Sequence, residues 1–489
     1  MSKKPNIITI LLDDMGWTDL SCCGSDFYES PNIDALKERG MTFSRAYAAC
    51  PVCSPSRASF LTGKYPATLG LTDWISHPGT SDGKYKEEHD KTKKRSDIQP
   101  CRGKLIDAPY IKHLPDGHPT LAELLRENGY ATWHIGKWHL GTEEYYPEKK
   151  GFDVNYGGCF WGKARYGYHM PCNIPTLENG PDGEFLTDRL TDEAIKLIKN
   201  RDKDKPFMLD LWYYSVHVPI DAKEDQVEYF KKKAERMGLD RKEAYSEGEF
   251  YPVEHKKDQR VLRRLFHSDP QYAALIYNVD LNVGRLITAL EKEGIMEDTV
   301  VVFTSDNGGL ATSMGSPTCN APAREGKGWI YDGGTRVPAF VVWDGHIRAG
   351  SVCDTPITTP DYFPTFLELA GVQNPDGNTL DGQSLARLFT ENGKLPERPI
   401  FWHYPHYSSH GGTPGAVVML GNYKLIEFFE DGELELYDIV NDVSESNNLR
   451  DAFPEKTAHL AELLHAWQSS VEALMPEKNP DYVPWDRFV

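Results

Sequence analysis

The chain has 489 residues, 39% hydrophobic and 26% charged, without an internal repeat or a biased tract, which marks a folded protein able to bury a large core. Its formal net charge of −19 argues against nucleic acid or an anionic membrane surface as a partner, so any anionic ligand must meet a local cluster of cations. The nine cysteines are odd in number, lack paired CxxC motifs of zinc type and read as reduced thiols.

Taken in order, Met1 to Pro5 lead straight into the apolar run Ile7 to Leu12. That run is too short for a signal-peptide core or a membrane span, so the chain as given is expected to be cytoplasmic, although a leader removed beforehand would leave the same sequence. Ile7 to Leu12 reads as a strand buried on both faces, of the kind found in parallel sheets. Asp13 and Asp14 follow at its carboxyl end, where open α/β sheets place their sites. Two such acids are either a solvated turn or hard oxygen ligands for Ca²⁺ or Mg²⁺. Pro31 to Arg39 is a short helix stopped at Gly40. The stretch Cys53-Ser54-Pro55-Ser56-Arg57 then runs through Phe60 to Leu61-Thr62-Gly63. Pro55 is expected to hold Ser54 out of helical geometry, with the helix beginning near Ala58 and Cys53 just upstream of its N-terminus.

The charged run Lys84 to Arg95 reads as a solvated loop. Thr120 to Asn128 is a helix, and Tyr130 to Ile135 a strand that delivers Lys137 and His139 to one side of an extended segment. Phe185 to Asn200 is helical. Pro206 to Trp212 is another buried strand, which empties toward His217. Residues 221–268 are charge-rich and carry no assignable period. Pro270 to Glu293 is an amphipathic helix. Val300 to Ser305 is the strongest central strand, followed at once by Asp306-Asn307-Gly308-Gly309. Two distant strands thus each end in oxygen donors, as a shared metal site requires. Gly326-Lys327-Gly328 precede a strand at Ala339 to Trp343, and Pro360 to Ala370 and Ser384 to Phe389 are helical. Beyond Pro396 the pattern changes to short strands at Phe401–His403, Ala416–Leu420, Tyr423–Phe428 and Leu434–Tyr437, an antiparallel sheet, closed by a helix from Pro454 to Glu472. The expected division is a catalytic domain over 1–385 and a smaller α+β subdomain over 386–489.

The string from Cys53 to Gly63 resembles the maturation signal of type I sulfatases, of the alkaline-phosphatase-like superfamily, in which the cysteine is oxidised to formylglycine. The resemblance covers nearly the whole chain, with the motifs in the family's order. It implies a large, mostly parallel central sheet between helices and a C-terminal domain on a four-stranded antiparallel sheet. It also implies a Ca²⁺ site, with Mg²⁺ the other candidate, built from Asp13, Asp14, Asp306, Asn307 and the formylglycine derived from Cys53. The basic groups Arg57, Lys137, His139, His217 and Lys327 would surround the sulfate.

The implied reaction is hydrolysis of an aryl, steroid or carbohydrate sulfate. A hydrated aldehyde at position 53 attacks sulfur with Asp306 as base, His217 or Lys327 protonates the leaving alcohol, and His139 assists release of sulfate. Such chemistry needs a divalent ion and several cations, because the substrate is itself an anion. A maturation enzyme is an implied partner, and the oligomeric state is open. The alternatives are a phosphonate or phosphate monoester hydrolase on the same scaffold and a binding protein with a decayed site. Selectivity for the leaving group is expected from Trp74, His77, the segment Trp161 to His169, and the cluster Trp402 to Tyr407 with His403 and His406, the last equally readable as packing between domains.

Overall fold

The structure, a computed structural model, describes residues 4–76, 103–389, 393–485 and 487; His77, the charged run Lys84 to Arg95 and Cys101 lie outside the described residues. Its centre is an eight-stranded sheet made of β1 (Asn6–Leu12), β2 (Met41–Phe43), β3 (Ala131–Gly136), β4 (Val154–Tyr156), β5 (Phe207–Trp212), β6 (Thr299–Ser305), β7 (Phe340–Val342) and β8 (Ser351–Cys353). The spatial order is β8-β2-β7-β6-β1-β5-β3-β4. The pairs β1–β6, β1–β5, β3–β5, β3–β4 and β2–β8 are parallel, and only β7 runs against its neighbours.

The two-residue period of β1 explains how the sheet is covered. Ile8, Ile10 and Leu12 pack into one core with the helices Leu186–Asn200 and Pro270–Lys292. Ile7 and Leu11 face the opposite core, with Phe60 and Leu61 of the Cys53 helix and Phe363 and Phe366 of the helix Tyr362–Ala370. A strand apolar on both faces is therefore covered on both faces. Thr120 caps the helix Leu121–Glu127 through a reciprocal box with Glu123, which satisfies two of the N–H groups that a helix start leaves open.

Register decides where the chemistry goes. Leu12 lies opposite Ser305, Leu11 opposite Trp212, and Trp212 opposite Gly136. The residues that follow β1, β6, β3 and β5 consequently emerge along one edge, and these carry Asp13, Asp306, Lys137 and the turn to His217.

The second sheet comprises β9 (Ile400–Tyr404), β10 (Gly415–Leu420), β11 (Tyr423–Phe428) and β12 (Glu433–Asp438), antiparallel in chain order, with the helix Pro454–Ser470 on one face. Residues 221–268, which show no period, contain a helix at Glu224–Met237 and a hairpin of Tyr245–Phe250 with Arg260–Arg264. The eight described cysteines are all free thiols. Among the described residues no helix is long and apolar enough to cross a membrane.

Candidate active site

Cys53 is the first residue of its helix, Cys53–Thr62, and every residue of that helix is buried. This corrects the expectation that Pro55 keeps Ser54 outside the helix. A proline in the first turn has no intrahelical bond to lose, and its fixed φ suits the helical region. The spacing Cys50-x-x-Cys53 is formally a CxxC, but Cys50 Sγ turns away and contacts the Thr72 carbonyl at 3.8 Å.

His139 faces Cys53 with Nδ1 3.3 Å from Sγ, while its Nε2 lies 2.8 Å from the Ile75 carbonyl. A carbonyl only accepts, so Nε2 carries the proton and the Nδ1 lone pair points at position 53. Ser54 Oγ donates to the His139 carbonyl at 3.0 Å and sits 3.2 Å from Nδ1. His139 adopts φ 60, a conformation costly for a non-glycine residue and concentrated at functional sites. Its ring is held on the far side by Gly162, where an added Cβ would lie 2.5 Å from the imidazole.

Behind Cys53 three acids and three cations interlock without solvent. Arg57 is fully buried; its Nε and Nη2 reach Asp306 Oδ2 at 2.8 Å, its Nη1 donates to the Lys137 carbonyl at 2.8 Å, and its plane lies over Trp212. Lys137 Nζ donates to both Asp13 oxygens at 2.8 Å. Lys327 Nζ donates to Asp14 at 2.7 Å and to His217 Nε2 at 3.0 Å. His217 Nδ1 donates to the Val218 carbonyl at 2.7 Å, so its Nε2 is an acceptor and the shared proton belongs to Lys327.

Burial and the neighbouring Asp306 and Asp14 push the Asp13 carboxyl up to about 8 against the pull of Lys137. Burial opposes the charge of Asp14 as well, but Lys327, His217 and Lys137 hold it well below the usual carboxylate range. Burial also lowers His217 far below an ordinary imidazole, and Lys327 adds to that effect. The Cys53 thiol is raised by burial, with Lys137 and Lys327 pulling the other way.

Asp13, Asp14 and His217 bring ligand atoms within 4.8 Å of one another. Asp306 joins them through Arg57 and by accepting the Asp14 N–H at 3.2 Å, and Asn307 Nδ2 donates to Asp14 at 2.9 Å. Asn307 Oδ1 is buried with no hydrogen-bond partner among the described residues. Crowded carboxylates, one of them reluctant to ionise, together with an unpartnered amide oxygen make a hard-oxygen cluster suited to a divalent cation.

The site opens into a cavity of about 220 Å³ lined by Cys53, His139, His217 and Lys327, and by Trp74, Phe160, Arg165 and His410. Trp74, expected from sequence to meet the leaving group, is among the residues that line this cavity. His403 and His406 do not line this cavity. His403 is buried under the C-terminal helix, with Nε2 2.9 Å from the Leu474 carbonyl, and His406 is buried with Nε2 2.8 Å from Thr72 Oγ1. Both therefore serve packing, and the expectation that they bind substrate is corrected. His410, in the loop after β9, was not picked out from sequence; it stands beyond the aromatic cluster that drew attention.

The family described as Sulfatase matches residues 5–372, and that described as N-sulphoglucosamine sulphohydrolase, C-terminal, matches residues 325–471. The chain is 30% identical over 562 residues to a protein named sulfatase from Formosa agariphila, spanning 99% of this chain and 93% of that one. It is 30% identical over 442 residues to N-acetylgalactosamine-6-sulfatase of Mus musculus, spanning 86% and 72% respectively. The crystal structure of Ps i-CgsB in complex with k-i-k-neocarrahexaose aligns with a TM-score of 0.73 at 28% identity, spanning 95% of this chain and 93% of that chain.

Proposed function

The chain belongs to the sulfatase family and hydrolyses sulfate monoesters, and we propose that Cys53, oxidised to formylglycine by a maturation enzyme, is its nucleophilic position, beside a Ca²⁺ held by Asp13, Asp14, Asp306 and Asn307. The observation that carries this reading is Cys53 itself, on a buried first helical turn, with an imidazole lone pair aimed at it and a ring of cations around it. As a thiol it is poorly suited to attack, because burial raises its pKa and only the thiolate is a strong nucleophile. A formylglycine hydrate supplies two hydroxyls on one carbon, one to attack sulfur and one to expel sulfate, and a single thiol cannot do both. The oxygen donors suit either hard cation, Ca²⁺ or Mg²⁺, and such an ion would supply positive charge at the sulfate oxygens.

The remaining roles fall to the chain's own side chains. His139 Nδ1 accepts a proton at position 53, its ring fixed by Ile75 and Gly162. Lys137 and Arg57 are fixed cationic groups that offset charge on the transferring sulfuryl group without reorganising. Lys327 holds the proton that the departing alcohol needs, and His217 Nε2 orients that ammonium. The substrate is read as a small sulfated carbohydrate: the relatives include N-acetylgalactosamine-6-sulfatase, and a cavity of about 220 Å³ suits a single ring better than a buried polymer.

The test pairs mass spectrometry of the Cys53 peptide with release of sulfate, phosphate or phosphonate from matched 4-nitrophenyl esters. Aldehyde at position 53, preferred sulfate turnover and a melting temperature lowered by chelator and restored by Ca²⁺ are the expected results. Full turnover by a preparation holding only unmodified cysteine, or a preference for the phosphorus esters, would overturn the reading.

A further inference from the structure

Resting on the sulfatase reading, we infer that Arg165 and Lys163 form a second anion site beside the sulfate pocket, so that the substrate is an acidic sugar bearing a carboxylate or a further sulfate. Three observations lead there. First, the cavity that opens from Cys53 is lined, among the described residues, by Lys163, Arg165 and Lys327 and by no aspartate or glutamate, in a chain of net charge −19. Lys327 is already engaged by Asp14, which leaves the outer pair for something else.

Second, the Arg165 guanidinium lies over the rings of Phe160 and Trp161, at 5.2 and 4.9 Å, but has no hydrogen-bond or carboxylate partner among the described residues. Lys163 likewise has no acidic partner among them. Several other incompletely exposed arginines are paired with carboxylates: Arg39 binds Glu291 and Asp344, Arg263 binds Glu249 and Glu325, and Arg398 binds Asp361. Stacking fixes the plane of Arg165 while leaving its N–H fork open, which is the arrangement suited to bidentate recognition of a carboxylate or sulfate.

Third, the placement matches a substituent on the same ring or the next. Gly162, immediately before Lys163 in sequence, abuts the His139 imidazole, so the segment that carries the two cations forms the wall next to the reacting centre. Carboxylate and sulfate share the chemistry of planar or trigonal faces of anionic oxygens, and the wall does not distinguish them.

The experiment measures inhibition constants against 4-nitrophenyl sulfate turnover for three sets of monosaccharides: glucose and galactose, the corresponding uronic acids, and the corresponding 6-sulfates. In the wild-type enzyme the acidic sugars should inhibit at least ~10-fold more strongly than their neutral parents, and raised salt should erode that advantage. Arg165→Gln should abolish the advantage, Arg165→Lys should retain part of it, and Lys163→Gln, at an exposed position, should reduce it without a folding defect. A ratio favouring the uronic acids or the 6-sulfates identifies which anion is read. A ratio near one in the wild type, or a ratio that survives Arg165→Gln, would overturn the inference. Failure of aldehyde-bearing enzyme to turn over 4-nitrophenyl sulfate would instead count against the sulfatase reading, and the same sugar ratio would then be read by calorimetry.

Discussion

Two histidines that look alike in sequence differ in what their hydrogen bonds allow. His139 keeps its proton on Nε2 and offers Nδ1 to position 53; His217 keeps its proton on Nδ1 and offers Nε2 to Lys327. Sequence leaves the leaving-group acid open between His217 and Lys327, and these bonds favour Lys327. A sugar alcohol needs that proton during S–O cleavage far more than a nitrophenolate does, and general acid catalysis contributes roughly 10²- to 10⁴-fold where it is needed. Lys327→Ala should therefore cost a sugar sulfate at least ~10-fold more in kcat/KM than it costs 4-nitrophenyl sulfate. His217→Ala should show a smaller gap between the two substrates, and the reverse ranking would assign the proton to His217. Gly162→Ala probes the other histidine. Its Cβ would press the His139 ring at 2.5 Å, so kcat should fall by about tenfold or more, the order expected when a catalytic base loses its position, with little change in melting temperature. Unchanged kcat would show that the ring has room to move.

At the scale of elements, β1 and β6 were legible because a strand buried on both faces is apolar without alternation and ends where charge begins; the acids after those two runs, and Lys137 after β3, marked the sheet edge. The hairpin over 245–264 was not, because its strands are half exposed and held by pairs such as Arg263 with Glu249 and Glu325, which leave no apolar period. His403 was misread for a simpler reason. In β9 Trp402 and Tyr404 face the core shared with the Cys53 region, whereas Phe401 faces the C-terminal helix, and strand alternation puts His403 on the side of Phe401. The Cys53 helix start was missed because proline was read as a breaker at a position where it is tolerated.

One buried group within these strands was not singled out. His134 of β3 is fully buried among Trp138, Phe152 and Trp212, with neither ring nitrogen within hydrogen-bonding geometry of a partner among the described residues, and burial, aided by Arg57, lowers its pKa to about 3. A neutral histidine in the fold that protonates when unfolded contributes stability that is complete above about pH 6.5 and is lost as pH falls from there toward 3, up to a few kcal/mol. Asp210, its neighbour across the sheet, is raised to about 7 and has the opposite sign, so the informative quantity is a difference between proteins. The melting temperature of wild type minus that of His134→Phe should fall steadily between pH 7 and pH 5. A flat difference would mean that the imidazole is charged or solvated in the native state.

Over the whole molecule, the two sheets are joined by a buried ionic knot that also anchors the loop bearing Lys327. Lys424 of β11 is 1% exposed and donates to Asp332 at 2.8 Å, with Glu445 at the same distance on its other side. The Asp332 N–H in turn donates to Glu445 at 2.7 Å, and Tyr47 and Arg336 approach the Asp332 carboxylate. Asp332 opens the short helix Asp332–Thr335, five positions after Lys327, so the smaller sheet helps to set where the Lys327 ammonium stands. Such a knot adds little net stability compared with apolar packing, but removing one partner leaves buried charge uncompensated, at about 3–5 kcal/mol. Lys424→Met should lower the denaturation free energy by about that amount. In the fraction that stays folded it should reduce kcat on a sugar sulfate more than on 4-nitrophenyl sulfate, the same signature as loss of Lys327. Replacing all three partners together, Lys424→Met with Asp332→Leu and Glu445→Leu, should recover much of the stability, because no charge is then stranded. If activity returned with stability, the knot would be only a fastening; if stability returned while the leaving-group signature persisted, the C-terminal sheet would be a working part of the active site.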